Sequence, residues 1–189
     1  MNDPSQSTPS EGDIGKSGMP RRWVLGVAGL AAALGGIGYS VWRAGKQESG
    51  EPVTGFWGLQ WDTPQGTVLQ AKSFQGRPLL VNFWATWCPP CIEELPLINA
   101  FYRENTANGW QVLALAVDRA GPVQSFLSKN PVDFPVGMAG LSGADLGKSL
   151  GNLSGGLPFS VVVGASGAVL HRKLGRLAAA DLTQWSRLK

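Results

Sequence analysis

The sequence predicts an α/β fold, in which a central mixed sheet is flanked by helices, for the chain after residue 53. Three observations support this prediction. Apolar runs of strand length alternate with segments of helical periodicity. The last two strand-like runs are joined by the short Gly164-Ala165-Ser166-Gly167 turn, which is typical of an antiparallel pair. A Gly76-Arg77-Pro78 break precedes the first fully apolar strand, as expected between short elements.

The elements follow one another in a regular order. An added N-terminal β-hairpin is predicted first, from two short runs separated by a Pro/Gly turn. Main-sheet strands and helices then alternate up to the closing antiparallel pair and a last helix. The predicted hairpin strands are 56–61 and 67–70, and the main strands are 79–84, 110–117, 134–136, 159–163 and 168–174. One predicted helix begins after residue 88, and three more span 122–129, 142–150 and 178–188.

The first 53 residues differ in composition from the rest. Residues 1–20 are rich in Ser, Pro, Gly and Asp and have few large apolar side chains, which predicts a disordered cytoplasmic tail. Residues 21–43 open with two arginines and continue as an uncharged stretch. At ~1.5 Å per residue this stretch is long enough to cross a ~30 Å hydrocarbon core, so we predict one transmembrane helix that anchors the chain. Residues 44–53 are predicted as a linker and residues 54–189 as the folded domain.

A cleaved signal peptide, a twin-arginine signal and a buried soluble helix are the alternatives to a retained anchor. Residues 39–43 offer no small-residue cleavage site, which favours retention. Met19-Pro20 and Gly26 fit a twin-arginine signal poorly, and five glycines without a polar face disfavour a soluble helix. Three basic residues precede the span, against Arg43 and Lys46 after it. This asymmetry favours a cytoplasmic N terminus, with the domain across the membrane.

The two cysteines of the chain, Cys88 and Cys91, are separated only by Pro89-Pro90 at the start of a predicted helix. A disulfide that closes so short a loop adds little stability, because the loop-closure entropy it removes grows with loop length. Unpaired backbone N–H groups and the helix dipole favour a thiolate at Cys88, the predicted nucleophile. Cys91, one turn later, faces the core and is the predicted resolving thiol. Such a pair supports thiol–disulfide exchange through a mixed disulfide, in either direction.

The segment 81–91, Val-Asn-Phe-Trp-Ala-Thr-Trp-Cys-Pro-Pro-Cys, followed by Glu94-Leu95-Pro96, resembles the active-site segment of the membrane-anchored TlpA/ResA family. The resemblance extends from residue 55 onward and implies a thioredoxin-like fold. It also implies that Pro158, after Gly156-Leu157, is a cis proline that faces the cysteines and contacts clients. The implied catalytic residues are Cys88, Cys91, Glu94 and Pro158, and the implied client contacts are Trp87, Pro89, Leu157 and Pro158.

Asn82 and Glu94 distinguish this chain from cytosolic thioredoxins, which carry a buried acid where Asn82 stands. A neutral amide cannot accept the proton of the resolving thiol. Glu94 resembles the acidic residue that the TlpA/ResA family keeps beside its active site, so we expect Glu94 to transfer that proton. Alternatively, Glu93 and Glu94 are first-turn acids favoured by the helix dipole, which suits Glu93 better.

The resemblance implies a thiol:disulfide oxidoreductase of the bacterial inner membrane, single-pass, with its domain in the periplasm. We expect it to reduce disulfides of client proteins, in cytochrome c maturation or metal-site assembly. It would use no cofactor, and a transmembrane electron donor would recharge its dithiol. The reducing direction is an expectation, since the cysteine spacing does not set a reduction potential.

A peroxidase and a metal carrier are the alternatives to a thiol:disulfide oxidoreductase, and nucleic acid is one further class of partner to consider. A peroxiredoxin-type peroxidase needs Thr or Ser three residues before its reactive cysteine, where this chain has Ala85. A copper or zinc carrier needs further ligands, but the domain offers one methionine, Met138, and one remote histidine, His171. We therefore expect no resident metal. A metal carrier stays an alternative function if two copies of the chain share ligands in a dimer. A net charge of +3 indicates no nucleic-acid surface.

Overall fold

The computed structural model describes residues 50–188, so the predicted tail, the predicted anchor and most of the predicted linker lie outside the described residues. Among the described residues, no helix combines the length and apolar character needed to cross a membrane. The end of the predicted linker belongs to the fold instead. Pro52 bridges to Ala168, and Val53 is buried and donates its N–H to the carbonyl of Gly167 at 3.1 Å.

A seven-stranded mixed sheet lies at the centre of the described chain, with strand order β2-β1-β5-β4-β3-β6-β7. Strands β3, β4 and β5 run parallel, and every other neighbouring pair is antiparallel. The strands are β1 (Gln60–Asp62), β2 (Val68–Gln70), β3 (Leu79–Trp84), β4 (Gln111–Ala116), β5 (Val136–Met138), β6 (Phe159–Val163) and β7 (Val169–Leu174). The helices are α1 (Pro89–Asn105), α2 (Ala120–Lys129), α3 (Gly143–Ser149) and α4 (Ala179–Trp185), with short 3-10 turns at Phe56–Gly58, Ala71–Phe74 and Thr106–Asn108.

The three central strands, β3, β4 and β6, are buried along their whole length because both faces of the sheet are covered. Successive side chains point to opposite faces, so each strand contributes to two apolar clusters. One face carries Leu80 and Val112 and packs against apolar residues of α1 and α4. The other face carries Val81 and Leu113 and packs against Phe56 and other residues of the N-terminal segment.

The predicted mixed sheet, N-terminal hairpin, closing antiparallel pair and helix after Cys88 are confirmed. The strand predicted at 134–136 is shifted, since β5 spans Val136–Met138. Pro135 has no N–H to donate, and its carbonyl accepts the Ala114 N–H at 3.0 Å, so the β4–β5 ladder begins only at Val136.

Two further boundaries differ from the prediction. Phe56–Gly58 forms a 3-10 turn that buries Phe56, so the first hairpin strand is only three residues long. Helix α2 begins at Ala120, and Pro122 lies inside its first turn rather than opening it. A proline is tolerated there because first-turn N–H groups have no intrahelical acceptor.

Leu113→Ala should lower the free energy of unfolding by ~2–5 kcal/mol, because it leaves a cavity under a side chain that is 0% exposed. The matched control is Leu141→Ala, at a leucine that is 89% exposed and should change stability by less than ~0.5 kcal/mol. Urea unfolding of the two variants measures the difference. Equal losses would contradict the packing of β4 described above.

Candidate active site

Cys88 lies where the buried strand β3 ends and α1 begins. The turn from Ala85 to Cys88 is closed by a hydrogen bond from the Cys88 N–H to the Ala85 carbonyl at 3.3 Å. Cys88 has an extended backbone, with φ −105° and ψ 98°, and immediately precedes the first residue of the helix. The rigid strand and helix on either side thus hold this residue at one end of the sheet.

The start of α1 differs from the sequence prediction in one chemical respect. Pro89 and Pro90 occupy the first two helical positions and carry no N–H. The next two N–H groups, of Cys91 and Ile92, both donate to the carbonyl of Cys88, at 3.0 and 3.2 Å. Unpaired N–H groups are therefore not what favours a thiolate at Cys88. The aligned peptide dipoles of the helix remain to do so.

Cys88 and Cys91 are joined by a disulfide, with Sγ–Sγ 2.06 Å and Cα–Cα 5.3 Å. Cys88 is 5% exposed and Cys91 0% exposed, so only Cys88 offers an edge to solvent. Trp87, directly before Cys88, is 66% exposed, and Pro89 and Pro90 are exposed as well. A partner that reaches the disulfide would therefore meet the indole and the proline rings around Cys88.

The Leu157–Pro158 peptide bond is cis, as the resemblance predicted. Pro158 is buried, and its carbonyl accepts the Gly175 N–H at 2.8 Å. It immediately precedes Phe159, which pairs with Phe83 of β3, so this loop lies at the sheet end where β3 leads into the cysteine turn. Leu157 is half-buried and packs against the apolar cluster that contains both cysteines. The structure thus brings the predicted proline loop to the end of the sheet that carries the cysteine pair.

Glu94 is fully buried on α1, three residues after Cys91 and therefore on the same side of the helix. Its carboxyl group accepts two hydrogen bonds from other parts of the fold. Asn82 Nδ2, on β3, donates to Oε1 at 2.7 Å, and the backbone N–H of Leu177 donates to Oε2 at 2.7 Å. The carboxyl group thereby connects the sheet, the active-site helix and the loop before α4.

Burial raises the pKa of Glu94 above its ordinary value, because an ionised carboxylate loses its hydration in the core. The hydrogen bonds from Leu177 and Asn82, and the positive charges of Arg176 and Lys173, oppose this shift without cancelling it. A carboxyl group with a raised pKa, one helical turn from Cys91, is suited to accept and release a proton.

Asp118, which follows β4, anchors the active-site turn. Its Oδ2 accepts the Thr86 N–H at 2.8 Å and the Thr86 hydroxyl at 2.6 Å, while Oδ1 accepts the Arg119 N–H at 2.7 Å. Partial burial raises the pKa of Asp118, but these hydrogen bonds outweigh it and hold the pKa below its usual range. The feature of the sequence that could have identified this role is an acid just after a predicted strand. Because β4 runs parallel to β3, the carboxyl ends of both strands lie at the same edge of the sheet.

Other residues weighed in the sequence have structural contacts. Glu93 lies in the second turn of α1, so it is not a first-turn acid; it pairs with Arg176 at 2.5 Å. Trp84 is buried in the core, and its Nε1 has no hydrogen-bond partner. His171 stacks on Trp185, with ring centroids 6.1 Å apart. Within residues 50–188, no group of three or more His, Cys, Asp or Glu side chains is placed to hold a metal ion.

A family model described as Redoxin matches residues 49–184. Among characterised proteins, the chain is 29% identical over 122 residues to the thiol-disulfide oxidoreductase ResA of Bacillus thuringiensis subsp. konkukian, covering 64% of this chain and 68% of that protein. It is also 25% identical over 116 residues to the sporulation thiol-disulfide oxidoreductase A of Bacillus subtilis, covering 59% and 68% of the two chains.

Solved structures agree with this assignment and confirm the thioredoxin-like fold. A thiol:disulfide interchange protein of the thioredoxin family from Chlorobium tepidum TLS superposes with a TM-score of 0.63 at 26% identity, over 75% of this chain and 97% of that one. The match by the family model, the fold and the paired cysteines agree with one another. The chain therefore belongs to the Redoxin family and is a thioredoxin-like thiol:disulfide oxidoreductase of the TlpA/ResA type.

Proposed function

We propose that this protein reduces disulfides in client proteins on the periplasmic side of the bacterial inner membrane, to which residues 21–43 anchor it. The observation that carries the proposal is the unequal burial of the two cysteines beside a buried acid. Cys88 has an exposed edge, whereas Cys91 and Glu94 have none. This arrangement suits a pair in which one sulfur meets the client and the other closes the reaction.

The proposed reaction has two steps. The Cys88 thiolate attacks one client sulfur, and the client's other sulfur leaves as a thiolate, so a mixed disulfide forms. Glu94 then accepts the proton of the Cys91 thiol, and the Cys91 thiolate attacks Cys88 Sγ. The Cys88–Cys91 disulfide forms, and the client sulfur that was bonded to Cys88 leaves as a thiolate. The protein is thereby oxidised by two electrons, and the client is reduced by two.

The client is proposed to bind across the exposed Trp87, the exposed Pro89 and the Leu157–Pro158 loop. Trp87 offers a large flat apolar surface next to Cys88, and Leu157 packs against the apolar cluster that contains the cysteines. We propose clients of cytochrome c maturation or of metal-site assembly, as the family resemblance implies. Because each turnover leaves the protein oxidised, a transmembrane electron donor must restore the dithiol.

The reduction potential of the Cys88–Cys91 pair should distinguish a reductant from an oxidant. The full chain is equilibrated in defined thiol buffers, and its redox state is measured by alkylation of free thiols. We expect a potential near the roughly −270 mV of thioredoxin. A potential near the roughly −120 mV of DsbA would reverse the proposed direction, and the absence of a reversible transition would rule out thiol–disulfide exchange altogether.

Cys91→Ser should trap the mixed disulfide, because the variant keeps the attacking sulfur and lacks the resolving one. Incubated with a disulfide-bonded test protein, reduced Cys91→Ser should form a covalent complex that is visible on a non-reducing gel and disappears with excess thiol. Cys88→Ser is the control and should form little or none, since Cys91 is 0% exposed. Equal trapping by both variants would contradict the assigned roles.

Glu94→Gln should slow release of the client from the mixed disulfide by on the order of 10²-fold, because it removes the proton acceptor. Glu93→Gln is the matched control: the same change one position earlier, at a surface ion pair, should have little effect.

The pH dependence of Glu94→Gln provides a second test. Glu94 can accept a proton only where it is ionised, at a pH above its own pKa, which burial raises. The wild-type rate of client release should therefore rise as the pH passes through the pKa of Glu94. The rate of Glu94→Gln should lack this rise. Stopped-flow measurement across pH tests both statements, and a rise that survives in the variant would show that another group takes the proton.

A further inference from the structure

The side-chain amide of Asn82 is fully buried, and its two ends have different surroundings. Nδ2 donates to Glu94 Oε1 at 2.7 Å and to the Ser160 hydroxyl oxygen at 3.0 Å. Oδ1 has no hydrogen-bond partner, although buried polar atoms nearly always have one. This arrangement suits an ionised Glu94, which can only accept hydrogen bonds.

The two oxygens of the Glu94 carboxyl group face different donors, a side-chain amide at Oε1 and a backbone N–H at Oε2. The backbone N–H of Leu177 donates to Oε2 at 2.7 Å, and a backbone N–H cannot become an acceptor. A proton on Oε1 leaves the Leu177 bond to Oε2 unchanged, and the amide oxygen of Asn82 is a buried acceptor without a partner, so Oε1 is the oxygen to which we assign the proton of a neutral Glu94. There it would face the Asn82 Nδ2 group, donor against donor, and the hydrogen bond between the two side chains would be lost.

We propose that the side-chain amide of Asn82 turns over when Glu94 takes up its proton, so that Nδ2 and Oδ1 exchange places. Oδ1 then accepts the Glu94 Oε1–H. It also accepts the Ser160 hydroxyl, which can donate as well as accept. The turn exchanges the two bonds that Nδ2 donates for two that Oδ1 accepts, and Nδ2 takes the place where Oδ1 had no partner. The backbone of Asn82 stays paired with Ala114 and Ser160 in the sheet.

This inference rests on the proposed function and extends it to the step that closes the disulfide. In that step the proton passes from the Cys91 thiol to Glu94, and the electron pair left on Cys91 Sγ forms the bond to Cys88 Sγ. The bond between Cys88 and the client sulfur breaks, and its electrons leave with the client thiolate. Asn82 acts only through Glu94, as a positioning residue that keeps the carboxyl group hydrogen-bonded before and after the transfer.

The charged groups that face Glu94 come from α1, β7, α4 and the loop between β7 and α4. Arg176 and Lys173 place positive charge near the carboxyl group. Each is paired, Arg176 with Glu93 and Lys173 with Asp181. In the described chain none of these four side chains hydrogen-bonds to Asn82, whose side-chain partners are Glu94 and Ser160. These four charged groups therefore affect the pH at which Glu94 titrates. They do not determine whether Nδ2 or Oδ1 of Asn82 faces Glu94.

The proposal is tested by NMR on the labelled full chain in detergent micelles, with the disulfide intact. The carboxyl carbon of Glu94 reports the Glu94 titration, and cross-peaks between the Asn82 Nδ2 protons and the Ser160 β protons report the amide orientation. We expect strong cross-peaks above the Glu94 midpoint and their loss below it, with the same midpoint for both signals. Cross-peaks that persist through the midpoint, or a Glu94 that does not titrate while the protein stays folded, would overturn the proposal.

Glu94→Gln provides the decisive comparison. The glutamine carbonyl must face the Leu177 N–H, so its Nε2 faces Asn82 and requires Oδ1 there. The cross-peaks should therefore be lost at every pH, whereas Glu93→Gln should behave as the wild type. Cross-peaks of native strength in Glu94→Gln would overturn the proposal. Because no thiol reacts in this experiment, a failure of client reduction in the earlier tests would not produce either result.

Discussion

The buried carboxyl group of Glu94 is the constraint on which the active-site region depends. A carboxyl group without partners would be costly in the core, so the surrounding elements must be positioned to satisfy it. Asn82 of β3 and the Leu177 N–H of the loop before α4 both reach it at 2.7 Å. The sheet, α1 and the chain leading to α4 are therefore held in one arrangement. Cys91 shares this arrangement because it lies one helical turn from Glu94.

The active-site turn is stabilised separately, from the neighbouring strand. Asp118 follows β4 and holds both the N–H and the hydroxyl of Thr86, two residues before Cys88. Pro89 and Pro90, which follow this turn, carry no N–H and donate no hydrogen bond to it. The backbone before Cys88, the proposed nucleophile, is held by hydrogen bonds, while the Trp87 side chain next to it is exposed.

Local patterns were sufficient for most of the fold and for the cysteine pair. The central strands are continuous apolar runs because both their faces are covered, and such runs can be recognised without knowing what covers them. Boundaries were predicted less well where a proline lies near an element end, as at Pro122 and Pro135. At Pro135 the bond that its carbonyl accepts from the Ala114 N–H precedes the first paired residue of β5, and the sequence pattern does not show that bond.

The sequence by itself determined the α/β order of elements, the CPPC pair at a helix start and the acid one turn later, because these depend on spacing along one chain segment. Only the tertiary structure decided what surrounds them. The bonds from Leu177 to Glu94, from Asn82 to Ser160 and from Thr86 to Asp118 each join residues at least 32 positions apart. Contacts of this kind arise when the sheet and helices pack together. For that reason the hydrogen-bond partners of Glu94, Asn82 and Thr86 could not be identified from spacing alone.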